Sequence, residues 1–114
     1  MELPQEGYLL RILIGESAQY RGKRLYEWLV LKARECGIAG ATVTRGMMGY
    51  GASSRIKTAS ILRLSEDLPV IVEMVDEKKM LEEFLEIIDP AIHEGLVTME
   101  KMHIRLYRHK RGNR

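Results

Sequence analysis

The sequence predicts an α+β sandwich of the ferredoxin-like type, βαββαβ, with an antiparallel sheet and two helices on one face. Three observations carry this. Segments rich in β-branched and aliphatic residues lie at 8–14, 41–45, 70–75 and 102–107. Stretches of helical periodicity fall between the first and second and between the third and fourth, ending near 36 and 88. The chain has 114 residues, 46% of them apolar. That length buries roughly 65% of its unfolded surface, enough for one core, so residues 1–114 are expected to form a single domain.

Tyr8-Leu-Leu-Arg-Ile-Leu-Ile14 is dense in β-formers and stops at Gly15, which predicts a strand buried on much of both faces. Ser17 offers a helix N-cap, with a start nearer Gly22 as the alternative. Leu25, Leu29, Ala33 and Cys36 step by 4, 4 and 3 and share one helix face; Gly37 stands where a C-cap is expected. Ala41-Thr-Val-Thr-Arg45 is β-branched and alternating, a second strand. Residues 46–58 fit no period, with Gly46, Gly49 and Gly51 set among methionines, serines and cations. Loops of that length in a small domain are usually functional or mobile. Thr58 to Leu64 reads as a short strand or as part of a long hairpin with the loop at its tip, and Ser65 to Pro69 as a turn. Val70-Ile-Val-Glu-Met-Val75 is the clearest strand, and Asp76 a good N-cap. Met80, Leu81, Phe84, Leu85 and Ile88 form the stripe of a second helix, which Asp89-Pro90 ends. Gly95 begins a turn, Met102 to Tyr107 alternates as a last strand, and 108–114 is a basic tail.

Helices on one face leave the other uncovered. Strand residues of both parities are apolar here, including Leu9, Leu13, Ile71 and Val75, so a second subunit is expected to cover that face. No apolar run approaches the ~20 residues of a membrane-spanning helix. The acidic start, Met1 to Glu6, is unlike a signal peptide. The expected compartment is the cytoplasm, and a lone Cys36 excludes an intramolecular disulfide framework. The net charge of +2 conceals three unlike blocks. Residues 1–63 carry 10 Lys/Arg against 5 Asp/Glu, residues 64–104 carry 3 against 11, and residues 105–114 carry 5 against none. Such asymmetry points to a charged partner or to self-assembly.

No catalytic set emerges, and the chain is expected not to be an enzyme. His93-Glu94-Gly95 lacks the second histidine of a zincin helix. His93, His103 and His109 are scattered over a turn, a strand and the tail, and Cys36 lies on an apolar helix stripe as a packed thiol. No metal site is expected. Gly51-Ala-Ser53-Ser-Arg55 lacks the closing glycine of a nucleophile elbow. Gly49-Tyr50-Gly51 is either a structural turn or a place where backbone N–H groups meet an anion near Arg45, Arg55 and Lys57. The tail cations lack the interleaved aromatics of a nucleic-acid platform, so no nucleic acid is expected.

Gly37-Ile-Ala-Gly40-Ala-Thr42-Val43-Thr44 followed by Gly49-Tyr50-Gly51 resembles the second strand and T-loop base of PII signalling proteins. Val70 to Val75 and Gly95-Leu-Val-Thr-Met-Glu-Lys101 resemble their third strand and B-loop, although Thr98-Met99-Glu100 stands where the PII pattern has Gly-Asp-Gly. The likeness is closer still to the short PII-like proteins grouped as domain of unknown function one-ninety. It runs through Ile14-Gly15-Glu16, Leu25-Tyr26-Glu27, Gly49 to Ile56 and Leu62 to Val70. The resemblance implies a homotrimer that needs no cofactor and binds an adenine nucleotide (ADP, AMP or ATP) in clefts between subunits. It also implies a mobile loop that signals to a partner such as a membrane transporter, a channel or an enzyme. It places ligand contacts at Gly49, Gly51, Arg55, Lys101, Arg105 and Arg108, and a partner loop at Tyr50, Ser53, Ser54 and Lys57. A CutA-like trimeric metal or ion-tolerance protein shares that fold and is the alternative.

Overall fold

The computed structural model describes residues 5–51, 57–58 and 67–108. In chain order its elements are β1 (Glu6–Gly15), β2 (Gln19–Tyr20), β3 (Lys23–Arg24), α1 (Leu25–Glu35), β4 (Ala41–Arg45), β5 (Met48–Gly49), β6 (Lys57–Thr58), β7 (Pro69–Asp76), α2 (Lys78–Ile88), a 3₁₀ turn (Asp89–Ala91) and β8 (Leu96–His103). The four long strands form one antiparallel sheet in the order β4-β7-β1-β8. This is the expected ferredoxin-like α+β arrangement.

Strand alternation decides which residues the helices cover. Leu10, Ile12 and Ile14 of β1 and Val70, Val72 and Met74 of β7 are buried, with Ile12 opposite Val72. Against them lie Leu25, Leu29 and Ala33 of α1 and Leu81, Phe84 and Ile88 of α2, the stripes read from periodicity. Cys36, the fourth member of the first stripe, is half-buried. Gly37 at φ +82° completes a Schellman end to α1. Its N–H donates to the Arg34 carbonyl at 3.1 Å and that of Ile38 to Ala33 at 3.0 Å.

Three local expectations are corrected. Helix α1 starts at neither Ser17 nor Gly22 but at Leu25, because residues 19–24 pair as a two-stranded hairpin. Arg21 and Gly22, at φ +52° and +81°, make its two-residue turn. Asp76 is not the N-cap of α2; Glu77 holds that position. Asp76 is instead fully buried at the end of β7. Its carboxylate accepts the N–H of Glu77 at 2.7 Å and of Ala39 at 2.8 Å, tying the start of α2 to the α1–β4 loop. The last strand is Leu96–His103, so only Met102 and His103 of the predicted 102–107 belong to it. It begins one residue after Gly95 because Leu96 pairs with Leu13. The 46–58 segment does open as a hairpin, β5 with β6, rooted where Gly46 N–H donates to Pro69 at 2.7 Å. The strand suggested over 58–64 lies outside the described residues beyond Thr58.

Candidate functional site

Beyond β8 the chain turns back over the sheet. The Ile104 N–H donates to the Gln5 carbonyl at 2.6 Å, and the Ile104 side chain lies where Gly7 has none. Three residues on, the Tyr107 hydroxyl donates to the Ala39 carbonyl at 3.2 Å. Residues 104–107 therefore form a strap running from the β8 edge toward β4, on the face without helices. Between strap and sheet lies a cleft of about 680 Å³, within the range of small-molecule sites. Its floor is Leu9 and Val75, its wall Gly40 and Thr42, and it carries Glu73 and Arg105. An apolar floor suits a flat ring. A hydroxyl, a carboxylate and the backbone of an edge strand supply hydrogen bonds, and a guanidinium meets an anion.

Register explains why these groups meet. Thr42, Glu73, Arg11 and Thr98 fall in one row across all four strands, on the uncovered face. In that row the Arg11 Nε donates to Glu73 at 2.8 Å, both side chains half-exposed.

Of the residues singled out by sequence, Arg105 lines the cleft and Arg108 is exposed just past the strap. Lys101 does not join them. It pairs with Tyr8 in the parity of the helix-covered face, and its Nζ sits 3.3 Å from the exposed Glu6 carboxylate. Gly49 is half-exposed in β5, with Tyr50 and Gly51 exposed beyond it. A Cβ on Gly46 or Gly49 would come within 2.8 or 3.3 Å of Pro69, so both glycines let the hairpin root lie against that proline. Ser53, Ser54 and Arg55 lie outside the described residues, and Lys57 is described only as the backbone partner of Gly49.

Lys101 and the loop root stand at opposite corners of the sheet. Lys101 is level with Tyr8 and the end of β4 with Ile14, roughly 20 Å apart along β1, and they flank opposite edge strands. One chain does not assemble the predicted ligand set. Sequence reasoning missed Leu9, Thr42, Glu73, Val75 and Tyr107. No sequence signal groups Thr42, Glu73 and Leu9, which share a face only through strand register. The strap itself was hidden because Met102, Ile104 and Leu106 alternate like a strand.

Among the described residues no three His, Cys, Asp or Glu side chains are grouped to hold a metal ion. Nor is any described helix long and apolar enough to cross a membrane.

The sequence matches the DUF190 family (Uncharacterized ACR) over residues 7–104. A UPF0166 protein of Aquifex aeolicus is 40% identical over 96 residues, which span 84% of this chain and 90% of its own. Among solved structures, CPII of Thiomonas intermedia K12, a nitrogen regulatory PII-like protein bound to ADP, AMP and bicarbonate, aligns with a TM-score of 0.66 at 15% identity. The alignment covers 87% of this chain and 88% of CPII. CutA1 of Oryza sativa aligns less well, at a TM-score of 0.52 and 12% identity over 90% of this chain and 84% of its own. At these identities the two structures speak to the fold, which is PII-like.

Proposed function

We propose that this chain, which belongs to the DUF190 family, is a non-catalytic PII-like regulatory protein of the cytoplasm. It assembles as a homotrimer, binds an adenine nucleotide between subunits, and signals through the loop that follows β4. The observation that carries the reading is the divided site. A ring-sized cleft lined by Arg105 lies on the open face, Lys101 has the parity of the helix-covered face, and the loop root lies roughly 20 Å from Lys101 at the opposite edge strand. A neighbouring copy is the economical way to bring Lys101, or Gly49 and Gly51, to the cleft. The nucleotide-bound state of CPII supports the choice of ligand.

In this reading the adenine lies on Leu9 and Val75, with Thr42, Glu73 and the β4 edge as hydrogen-bond partners. Arg105 faces the phosphates, with Lys101 from a neighbouring copy and Arg108 from either. Glu100, exposed opposite Leu9, adds negative charge close by and favours AMP or ADP over ATP. Ligand contacts at Gly49 and Gly51 would bias the order of the 46–58 loop, including Tyr50, Ser53, Ser54, Arg55 and Lys57. A transporter, channel or enzyme would read the ordered form.

Calorimetry with AMP, ADP and ATP is the test. Binding is expected, with Arg105→Ala weakening ADP roughly tenfold and adenosine little. No heat from any of the three at millimolar ligand overturns the nucleotide reading.

A further inference from the structure

The β2–β3 hairpin is an addition to the βαββαβ plan, and its chemistry is unusual for its place. Arg21, Lys23 and Arg24 are all exposed, and no Asp or Glu occurs between Ser17 and Tyr26. These cations precede the first turn of α1, where the helix macrodipole favours anions. Arg21 adopts φ +52° in a turn position that Asn, Asp or Gly fills more easily. The fold nonetheless holds the hairpin firmly. Tyr20 meets Trp28 edge-on at 4.7 Å, the Arg21 guanidinium lies 5.2 Å from the Tyr20 ring centre, and Arg24 donates to the Glu16 carbonyl at 3.1 Å. A strained, like-charged, preformed finger points to an anionic partner.

The finger is linked to the root of the 46–58 loop. While the Glu16 carbonyl takes Arg24, its carboxylate takes Arg45 at 3.0 Å, the last residue before the loop. Just beyond, Met47, Met48 and Tyr50 are 80%, 63% and 71% exposed. Residues 36–65 contain no acid at all. Among the described residues the neighbouring carboxylates are few. Glu16 is paired with Arg45, Asp67 accepts the Ser17 N–H, and Glu27 and Glu94 are exposed to the side of α1 and near His93. Fixed cations beside exposed, unbranched or amphipathic apolar tips match a lipid surface. Its phosphates are laterally mobile and its interface accepts methionine and tyrosine. Nucleic acid would satisfy the cations and leave the methionines in water.

We propose that the β2–β3 hairpin and the loop root form one surface that docks on anionic phospholipid headgroups, through Arg21, Lys23 and Arg24 with Met47, Met48 and Tyr50 at the interface. Any oligomer that presents these ends together multiplies the attraction. The proposal shares the 46–58 loop with the nucleotide reading, but Arg21, Lys23 and Arg24 lie outside both that loop and the cleft, so changes to them test it separately.

The test is co-sedimentation of the full chain with phosphatidylcholine vesicles, with and without phosphatidylglycerol. Binding is expected only with phosphatidylglycerol and should fall as salt rises. Arg21→Ala with Lys23→Ala should weaken it by at least about tenfold, since each cation near an anionic surface contributes roughly fivefold. Met48→Ser should weaken it without changing the salt slope. Lys23→Glu, with thermal unfolding recorded alongside, separates lost charge from lost folding. No co-sedimentation at low salt, equal binding to neutral vesicles, or unchanged binding by the double variant overturns the proposal. Retention on immobilised polyglutamate without vesicle binding overturns it in favour of an acidic protein partner. ADP heats should be the same for the double variant and the parent, so this proposal and the nucleotide reading can fail separately.

Discussion

The two faces of the sheet are built from the same strands and solve different problems. On the helix side, Leu10, Ile12, Val72 and Met74 are sealed by Leu29, Leu81 and Phe84, and the chain completes this core by itself. On the other side the same strands present Leu13, Ile71 and Val75, all half-buried, around the Arg11–Glu73 pair, and the 104–107 strap lies over the Leu9–Val75 end. One face is the core that the chain completes by itself; the other exposes apolar surface and the candidate cleft, which the proposed assembly would cover. Changes on the first face should therefore act on folding, and changes on the second on assembly and binding.

The largest effect should come from the sealed face. Phe84→Ala removes a fully buried ring at the centre of the α2 stripe and should cost about 3–5 kcal/mol in urea unfolding at fixed protein concentration. A loss below 1 kcal/mol would mean the helix face is not the core. Asp76→Ala comes next, at about 2–4 kcal/mol, because it strips the acceptors from the Ala39 and Glu77 N–H groups in a buried place. Asp76→Asn should recover part of that, since an amide oxygen can still accept one of the two bonds.

Ile71→Glu tests the opposite face. The isolated chain should lose about 1 kcal/mol or less, since Ile71 is half-exposed, while sedimentation equilibrium should show the oligomer replaced by monomer. An unchanged oligomer would show that the open face is not the interface.

The contrast between the faces also explains what sequence could and could not reveal. The helix stripes and the β4 and β7 segments were legible because burial on one face imposes a period, as Leu25, Leu29 and Ala33 show. The hairpin at 19–24 was missed because two-residue strands are too short to show a period and Ser17 mimics a cap. Asp76 was misassigned because a carboxylate before a helix looks the same in sequence whether it caps its own helix or braces a distant loop. The cleft was mostly illegible. Thr42, Glu73 and Leu9 become neighbours only through strand register, and Tyr107 reaches Ala39 across 68 positions of sequence. The glycine pair was legible as a pattern, yet within one chain two glycines of the segment, Gly46 and Gly49, serve contact with Pro69.

The smallest effect discriminates most finely. Arg11 and Glu73 are 40% and 36% exposed in the single chain, so water screens their attraction, and a double-mutant cycle there should give only about 0.2–1 kcal/mol. If copies of the chain cover this face, the same pair becomes desolvated. Removing either partner alone then strands a charge and should cost about 3–5 kcal/mol of assembled stability. Replacing both by Met should cost much less than either single change. The cycle should therefore be run twice, below and above the concentration at which the chain assembles. Coupling that rises with assembly places Arg11 and Glu73 inside the interface. Coupling that stays small at both concentrations leaves them in water, and the Glu73 side of the cleft with them.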